Sequence, residues 1–388
     1  MSDFEEISAN WNYPTSIRFG AGRISELASV CKELNISKPL LITDPGIAKL
    51  PMVEAIIQAT RKEGISTGMF FDIKPNPTGK NVEDGLKAYR ENGYDGVIAF
   101  GGGSALDAAK AIALVSGQKQ PLWDFEDIGD NWSKADPKGI APIIAAPTTA
   151  GTGSEVGRAS VIVQEETHTK KIIFHPKMLP TVVISDPELT IGLPAGLTAA
   201  TGMDALSHCL EAYCATGYHP MADGIAVEGI RLIAEWLPVA YNDGQNLEAR
   251  SHMLVAASMG ATAFQKGLGA MHSLAHPLGA IYDAHHGLLN AILMPYVLEF
   301  NRSGIEAKMT LLAAYLNLPN PSFEAIIKLV INLRKEFNIA SNLSELGIDD
   351  SRADEIAQKA ANDPTAPTNP IPMKVNDMKQ VFMSALIG

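Results

Sequence analysis

The strongest constraint in this 388-residue sequence is a change of hydrophobic period near its middle. Before that point, short β-branched and aliphatic runs end in Gly, Pro, Asp or Thr and alternate with helical stretches, the pattern of a βαβ sheet. The predicted strands are Lys38–Thr43 (KPLLIT), Gly96–Phe100 (GVIAF), Ile140–Ala146 (IAPIIAA) and Val182–Ser185 (VVIS). Both alternations of each are apolar, as in parallel strands covered on two faces. The text ASVIVQEETHTKKIIF, from Ala159 to Phe174, places two strand-like runs around a polar turn and predicts a β-hairpin. From Leu197 onward apolar residues recur at three and four, and strand signals nearly vanish. The punctuation at Asp186-Pro187 and Pro194 puts the boundary near residue 190, giving an α/β unit over 1–190 and an all-α unit over 191–388. The stretch DPTAPTNPIP, Asp363 to Pro372, reads as a loop before a last short helix.

Composition removes several classes of function. Lys plus Arg is 31 and Asp plus Glu is 43, a net charge of −12, which disfavours a nucleic-acid partner. No uncharged apolar run reaches the roughly 18 residues of a membrane span, and the opening MSDFEEISAN is acidic where a signal peptide would be basic. Three cysteines, Cys31, Cys209 and Cys214, do not make a disulfide framework. The expectation is a soluble cytoplasmic protein with no membrane partner.

The strand GVIAF runs into Gly101-Gly102-Gly103-Ser104 and then the helical text ALDAAKAIAL. Consecutive glycines entering a helix let backbone N–H groups approach an anion, so the run Gly101-Gly102-Gly103-Ser104 reads as a phosphate cradle. The competing reading is a tight turn in which Ser104 caps the helix and Asp107 completes a capping box. Asp44 ends the strand KPLLIT, where a carboxylate can accept ribose hydroxyls and repel a 2′-phosphate, which favours NAD over NADP. Its competing role is to open the turn Asp-Pro-Gly. A third strand end, AAPTTAGTGSE, interleaves Thr148, Thr149 and Thr152 with glycines, which suits a nucleotide on the carboxyl edge of a parallel sheet.

The helical half carries the second constellation. Asp204 and His208 stand four apart in GMDALSHCLEAY, and His272 and His276 repeat that spacing in MHSLAHPLGA, so each pair shares a helix face. His286 follows ten residues after His276. Imidazoles and a carboxylate set in small apolar text form a site for a divalent transition metal, because a buried polar cluster needs a partner. His168, His175, His219 and His252 read as loop or surface residues, and Cys209 and Cys214 as small buried hydrophobes.

Taken together, GGGSALDAAKAIA, APTTAGTGSEV, SDPELT, LPAGLTAATGMDALSHCLEAY and GLGAMHSLAHPLGAIYDAHHGLLNAILMP resemble the iron-containing (group III) alcohol dehydrogenases. A weaker likeness lies at NPIPMKVNDMKQVFMSAL. The resemblance implies an N-terminal Rossmann-like dinucleotide-binding domain and a C-terminal helical metal-binding domain, the dehydroquinate synthase-like fold, with the active site between them. It implies metal ligands at Asp204, His208, His272 and His286, with His285 as the competitor for the last position. His276 falls on a histidine near nicotinamide and substrate, suited to proton transfer. Cofactor contacts fall on Asp44, Asn76, Gly102, Gly103, Ser104, Asp107, Thr148, Thr149, Thr152, Lys171 and Leu197. The implied reaction is NAD(H)-dependent interconversion of a small alcohol and its aldehyde or ketone, with Fe(II) favoured and zinc as an alternative, in a homodimer or larger assembly. A dehydroquinate-synthase-like lyase, a glycerol-dehydrogenase-like enzyme and a non-enzymatic sensor are the alternatives. Gln265 and Lys266 depart from several relatives, and Lys266 reads as a surface residue rather than a substrate contact.

Overall fold

The computed structural model describes residues 15–388; the acidic opening segment lies outside them. Six parallel strands form one sheet in the order β1 (Ser16–Phe19), β8 (Val182–Ser185), β5 (Ile143–Pro147), β4 (Gly96–Gly101), β2 (Pro39–Ile42) and β3 (Gly68–Phe70). The four inner strands are buried along their whole length. Alternate residues feed two separate cores. Leu40, Ile42, Val97, Ala99 and Ile143 face α3 (Gly79–Asn92) and α4 (Gly103–Val115), whereas Leu41, Ile98, Phe100 and Ile144 face α1 (Leu27–Glu33) and α2 (Pro51–Lys62). The edge strands β1 and β3 escape sequence reading because they are only four and three residues long and largely uncovered, so neither shows the long doubly apolar run of the inner strands.

The hairpin β6 (Ala159–Gln164) and β7 (Thr169–Phe174) is antiparallel and stands apart from the main sheet, with Ile162 opposite Lys171. The helical half comprises α5 (Ala195–Cys214), α6 (Pro220–Asn242), α7 (Leu247–Ala263), α8 (Ala270–Tyr282), α9 (His286–Tyr315), α10 (Phe323–Glu336), α11 (Ala353–Ala361) and α12 (Val375–Ile387). α5 is buried on nearly every side and packs on α6, α7 and α9, so its polar residues lie inside the molecule. Among the described residues no helix is long and apolar enough to cross a membrane.

Several local expectations change. Helix α4 begins at Gly103 with Gly102 as its N-cap, and no side chain caps it; Ser104 lies within the first turn and its hydroxyl donates to Pro75 O instead. His175 and His219 are buried rather than superficial, and each uses Nδ1 to accept a backbone N–H at a helix start, from Lys177 and Ala222. Lys266 is also buried rather than superficial: its ammonium pairs with Asp223 and donates to Tyr213 O. The three cysteines are free and buried.

Candidate metal and dinucleotide site

The carboxyl ends of β2, β4 and β5 lie side by side, because β4 is hydrogen-bonded between the other two. That edge collects Asp44, the glycine run and Thr148 to Thr152 from three separate stretches of sequence. Thr148 N donates to Gly101 O at 3.0 Å, joining two of the loops directly. A Cβ on Gly103 would sit 2.4 Å from Thr152 Cγ2, so only glycine lets these loops close on each other. Backbone N–H groups at the start of α4 therefore remain available to an anion. Thr148 is buried with a hydroxyl that meets no protein partner. Asp44 Oδ1 accepts from Gly46 N at 2.8 Å and Ile47 N at 3.0 Å, so it does shape the turn after β2.

The remaining expected cofactor residues ring this edge. Asn76 reaches across to the helical half, its Nδ2 donating to Asp283 Oδ1 at 2.6 Å. Leu197 is exposed in the first turn of α5. Asp107 is engaged by protein: it accepts from Ser154 Oγ at 2.5 Å and Val161 N at 2.8 Å and lies 3.3 Å from Lys110 Nζ. It ties α4 to the threonine loop and the hairpin. Lys171 pairs with Glu126 at 2.7 Å. Its neighbour Lys170 lies on the opposite side of the strand, close enough to Gly279 on α8 that a Cβ there would stand 3.0 Å from the ammonium. Burial pushes the Lys170 pKa down to about 8, against the pull of Asp204, Asp107, Asp283 and Asp363.

Deeper in the cleft, ligand atoms of Asp204, His208 and His272 lie within 4.8 Å of one another, all on buried side chains. The first two come from one face of α5 and the third from the first turn of α8. His286 opens α9, and its Nε2 stands 3.7 Å from Asp204 Oδ1. The approach depends on Gly287, where a Cβ would meet Ala200 O of α5 at 2.2 Å. His285, the N-cap of α9, is exposed, so of the two adjacent histidines His286 is the one turned into the cluster. His208 and His272 stack with centroids 4.8 Å apart, and His276 stacks on His286 at 5.6 Å.

Two carboxylates that sequence reading passed over complete the cluster. Glu211, buried on α5, accepts His272 Nδ1–H at 2.7 Å through Oε2 and Met271 N–H at 2.7 Å through Oε1. It thus orients an imidazole and caps α8, whose first N–H groups have no intrahelical partner. Its position seven residues after Asp204 was a signal available in the sequence. Asp363 lies in the proline-rich stretch and accepts His276 Nδ1–H at 2.8 Å, while Thr365 N and Oγ1 hold its other oxygen.

The electrostatics suit a cation. Burial pushes His208 down to about 4 and, with the positive fields of Lys170 and the neighbouring histidines, holds His286 well below the usual imidazole range, so both offer neutral lone pairs. Burial also opposes protonation of His272, but Glu211, Asp204 and Asp363 outweigh it and hold its pKa above the usual value. Nδ1 of His208 and of His286 is buried without a protein partner, and on His286 it is the other nitrogen, Nε2, that faces Asp204. Three imidazoles gathered on a buried carboxylate, two of them held neutral by burial, fit a divalent transition metal. A cavity of about 390 Å³ opens beside His276, between the hairpin and α11, lined in part by Lys170, Lys171, Lys359 and Asp363.

A dinucleotide-type sheet edge together with a buried histidine–carboxylate cluster is the arrangement of an enzyme that uses a metal and a dinucleotide. A model of the iron-containing alcohol dehydrogenase family matches residues 14–187, and one of the C-terminal part of the Fe-containing alcohol dehydrogenase family matches residues 198–386. The chain is 37% identical to the 4-hydroxybutyrate dehydrogenase of Cupriavidus necator, over 96% of this chain and 99% of that protein. It is 39% identical to alcohol dehydrogenase 4 of Saccharomyces cerevisiae (strain YJM789), over 91% and 92%. A crystal structure of 1,3-propanediol oxidoreductase superposes with a TM-score of 0.92 at 35% identity, covering 97% of this chain and 100% of that one. The chain belongs to the iron-containing alcohol dehydrogenase family. Its reaction class is the metal-dependent, NAD(H)-linked interconversion of a small alcohol and its aldehyde or ketone.

Proposed function

We propose that Asp204, His208, His272 and His286 hold the metal, Fe(II) first and zinc as the alternative, and that the hydroxyl-bearing carbon of the substrate lies between that centre and the carboxyl edge of the sheet. The observation that carries this is the buried cluster of Asp204, His208 and His272 with His286 turned into it. When bound, the cation supplies a Lewis acid that lowers the pKa of the alcohol hydroxyl and the dinucleotide supplies the hydride acceptor. The protein orients these partners and manages the proton.

Gly102, Gly103 and Ser104 with the α4 N-terminus cradle the phosphates, Asp44 takes the adenosine ribose, and Thr148, Thr149 and Thr152 line the path toward the cluster. Asn76 and Leu197 border that path, and Asp107 acts on it through Ser154. Of the two hairpin lysines, Lys170 faces the metal cluster, while Lys171 supports it from the Glu126 side. His276, with Nδ1–H fixed on Asp363, presents Nε2 to take the substrate proton in oxidation and return it in reduction. The relatives are named for 4-hydroxybutyrate, for an alcohol and for 1,3-propanediol, and primary alcohols, diols and hydroxy acids are the range proposed here. A cytoplasmic setting is supported by the three free, buried cysteines, and a homo-oligomer by the uncovered Ile17 and Phe19 on edge strand β1.

The test is NAD reduction by metal-free protein reconstituted anaerobically with Fe(II) or Zn(II), against short primary alcohols, diols and hydroxy acids. Turnover that needs metal and prefers one alcohol supports the reading. Turnover that is independent of metal, or NAD binding without turnover of any alcohol, overturns it.

A further inference from the structure

Asn290 is wholly buried on α9, one turn beyond His286 and on the same face. Its Nδ2 lies 2.9 Å from Asp204 Oδ1, 3.3 Å from His272 Nε2 and 3.2 Å from His286 Nε2. One amide nitrogen thus touches three of the four side chains assigned to the metal, on the lone pairs that face the cluster. It carries two protons for these three acceptors, so one acceptor is always short of a partner. Its own Oδ1 meets no donor. A buried amide ordinarily satisfies both ends, and an apolar residue of the same shape would leave no orphan oxygen.

We infer that Asn290 is a positioning residue of the metal centre, resting on the ligand assignment above. In the metal-free protein its amide nitrogen faces a carboxylate oxygen and two imidazole nitrogens and gathers the three side chains around one point. If His272 and His286 give their lone pairs to a cation, the contact left to the amide would be the one to Asp204 Oδ1, the shortest of the three. A carboxylate oxygen has more than one lone pair, so this hydrogen bond would fix the rotation of Asp204 and still leave it able to serve a cation. The bond also spans α5 and α9, so the spacing between Asp204 and His286 is set by a side chain rather than by backbone packing alone. Outer partners of metal ligands typically carry about 10- to 100-fold in metal affinity.

The test uses the full-length protein stripped of metal, with Asn290→Leu and Asn290→Ala. Zn(II) affinity is read by chelator competition and ligand geometry by the visible spectrum of the Co(II) form; folding is checked by circular dichroism and NAD binding. The expected result is a dissociation constant raised by about 10- to 100-fold, with altered Co(II) bands, in folded variants. A role confined to packing would lower thermal stability and leave both readouts unchanged. Zn(II) affinity within twofold of wild type with a superimposable Co(II) spectrum overturns the inference; if Asn290→Leu does not fold, Asn290→Ala decides. A wild-type protein that binds neither ion overturns the ligand assignment itself, and this inference with it.

Discussion

Replacing Asp363 by Asn tests the proton path with almost no change of shape. The native carboxylate accepts His276 Nδ1–H at 2.8 Å, and both side chains are nearly buried. Burial alone would raise the Asp363 pKa, but the charge and hydrogen bond of His276, with two donors from Thr365, hold it below the usual carboxylate range. The group is therefore ionised where the enzyme works. In Asp363→Asn, Oδ1 still accepts from Thr365, while the new NH₂ faces His276 Nδ1. Two N–H groups cannot face each other, so the imidazole moves its proton to Nε2, the atom that must accept one from the alcohol. A hydrogen bond to a charged partner is worth about 1.5–3 kcal/mol, and about 1.4 kcal/mol is tenfold in rate, so kcat falls by roughly 10- to 150-fold. Because the carboxylate acts on the proton transfer rather than on alcohol binding, kcat and kcat/KM fall together while KM for the alcohol stays near its wild-type value. The assay is alcohol oxidation at saturating NAD from about pH 6 to about pH 10, at matched metal content. A kcat within twofold of wild type across that range, or a defect confined to KM, would refute the reasoning.

Three further outcomes follow from the same structure. Glu211→Gln imposes the corresponding wrong tautomer on His272, placing a proton on the nitrogen that faces the metal, and should weaken Zn(II) binding by at least about tenfold by chelator competition; unchanged affinity in a folded variant sinks this. Lys170 has a folded-state pKa near 8 against an ordinary 10.5, so between those values the unfolded chain binds more protons and stability rises with pH. Relative to Lys170→Met, the wild type should therefore recover up to about 3 kcal/mol of urea stability as pH rises through that window, and a constant difference would contradict the burial argument. Lys266→Met removes a buried ammonium while leaving Asp223 beside Lys308 at 3.8 Å. A loss of about 1–3 kcal/mol in stability is expected, with kcat/KM for hydroxy acids and neutral alcohols unchanged relative to each other; a selective loss on the hydroxy acid would restore a substrate role.

What the sequence determined by itself was whatever is written in local spacing. Doubly apolar runs before residue 190 produce buried parallel strands, and the recurrence at three and four after Leu197 produces helices, because periods of two and 3.6 residues are properties of the chain alone. The same spacing puts Asp204 with His208 on one helix face and leaves the glycine run open to an anion. The strands at Ser16–Phe19 and Gly68–Phe70 were silent, since an exposed edge imposes no apolar pattern. Tertiary structure decided which buried polar groups meet. Glu211 orients His272 only because α5 lies against the start of α8, and Asn369 completes the same cap by accepting Ala270 N–H at 3.1 Å from a proline-rich segment about a hundred residues away. That segment read as a plain loop, yet it also brings Asp363 to His276. That His286 rather than His285 turns toward Asp204, and that Lys170 lies against α8 while Lys171 pairs with Glu126, each turns on a one-residue register, and neighbouring residues point in different directions on a helix start or a strand. No local pattern states which of two adjacent identical residues faces inward; the desolvation cost of a polar group, met only when helices and hairpin close around it, settles that choice.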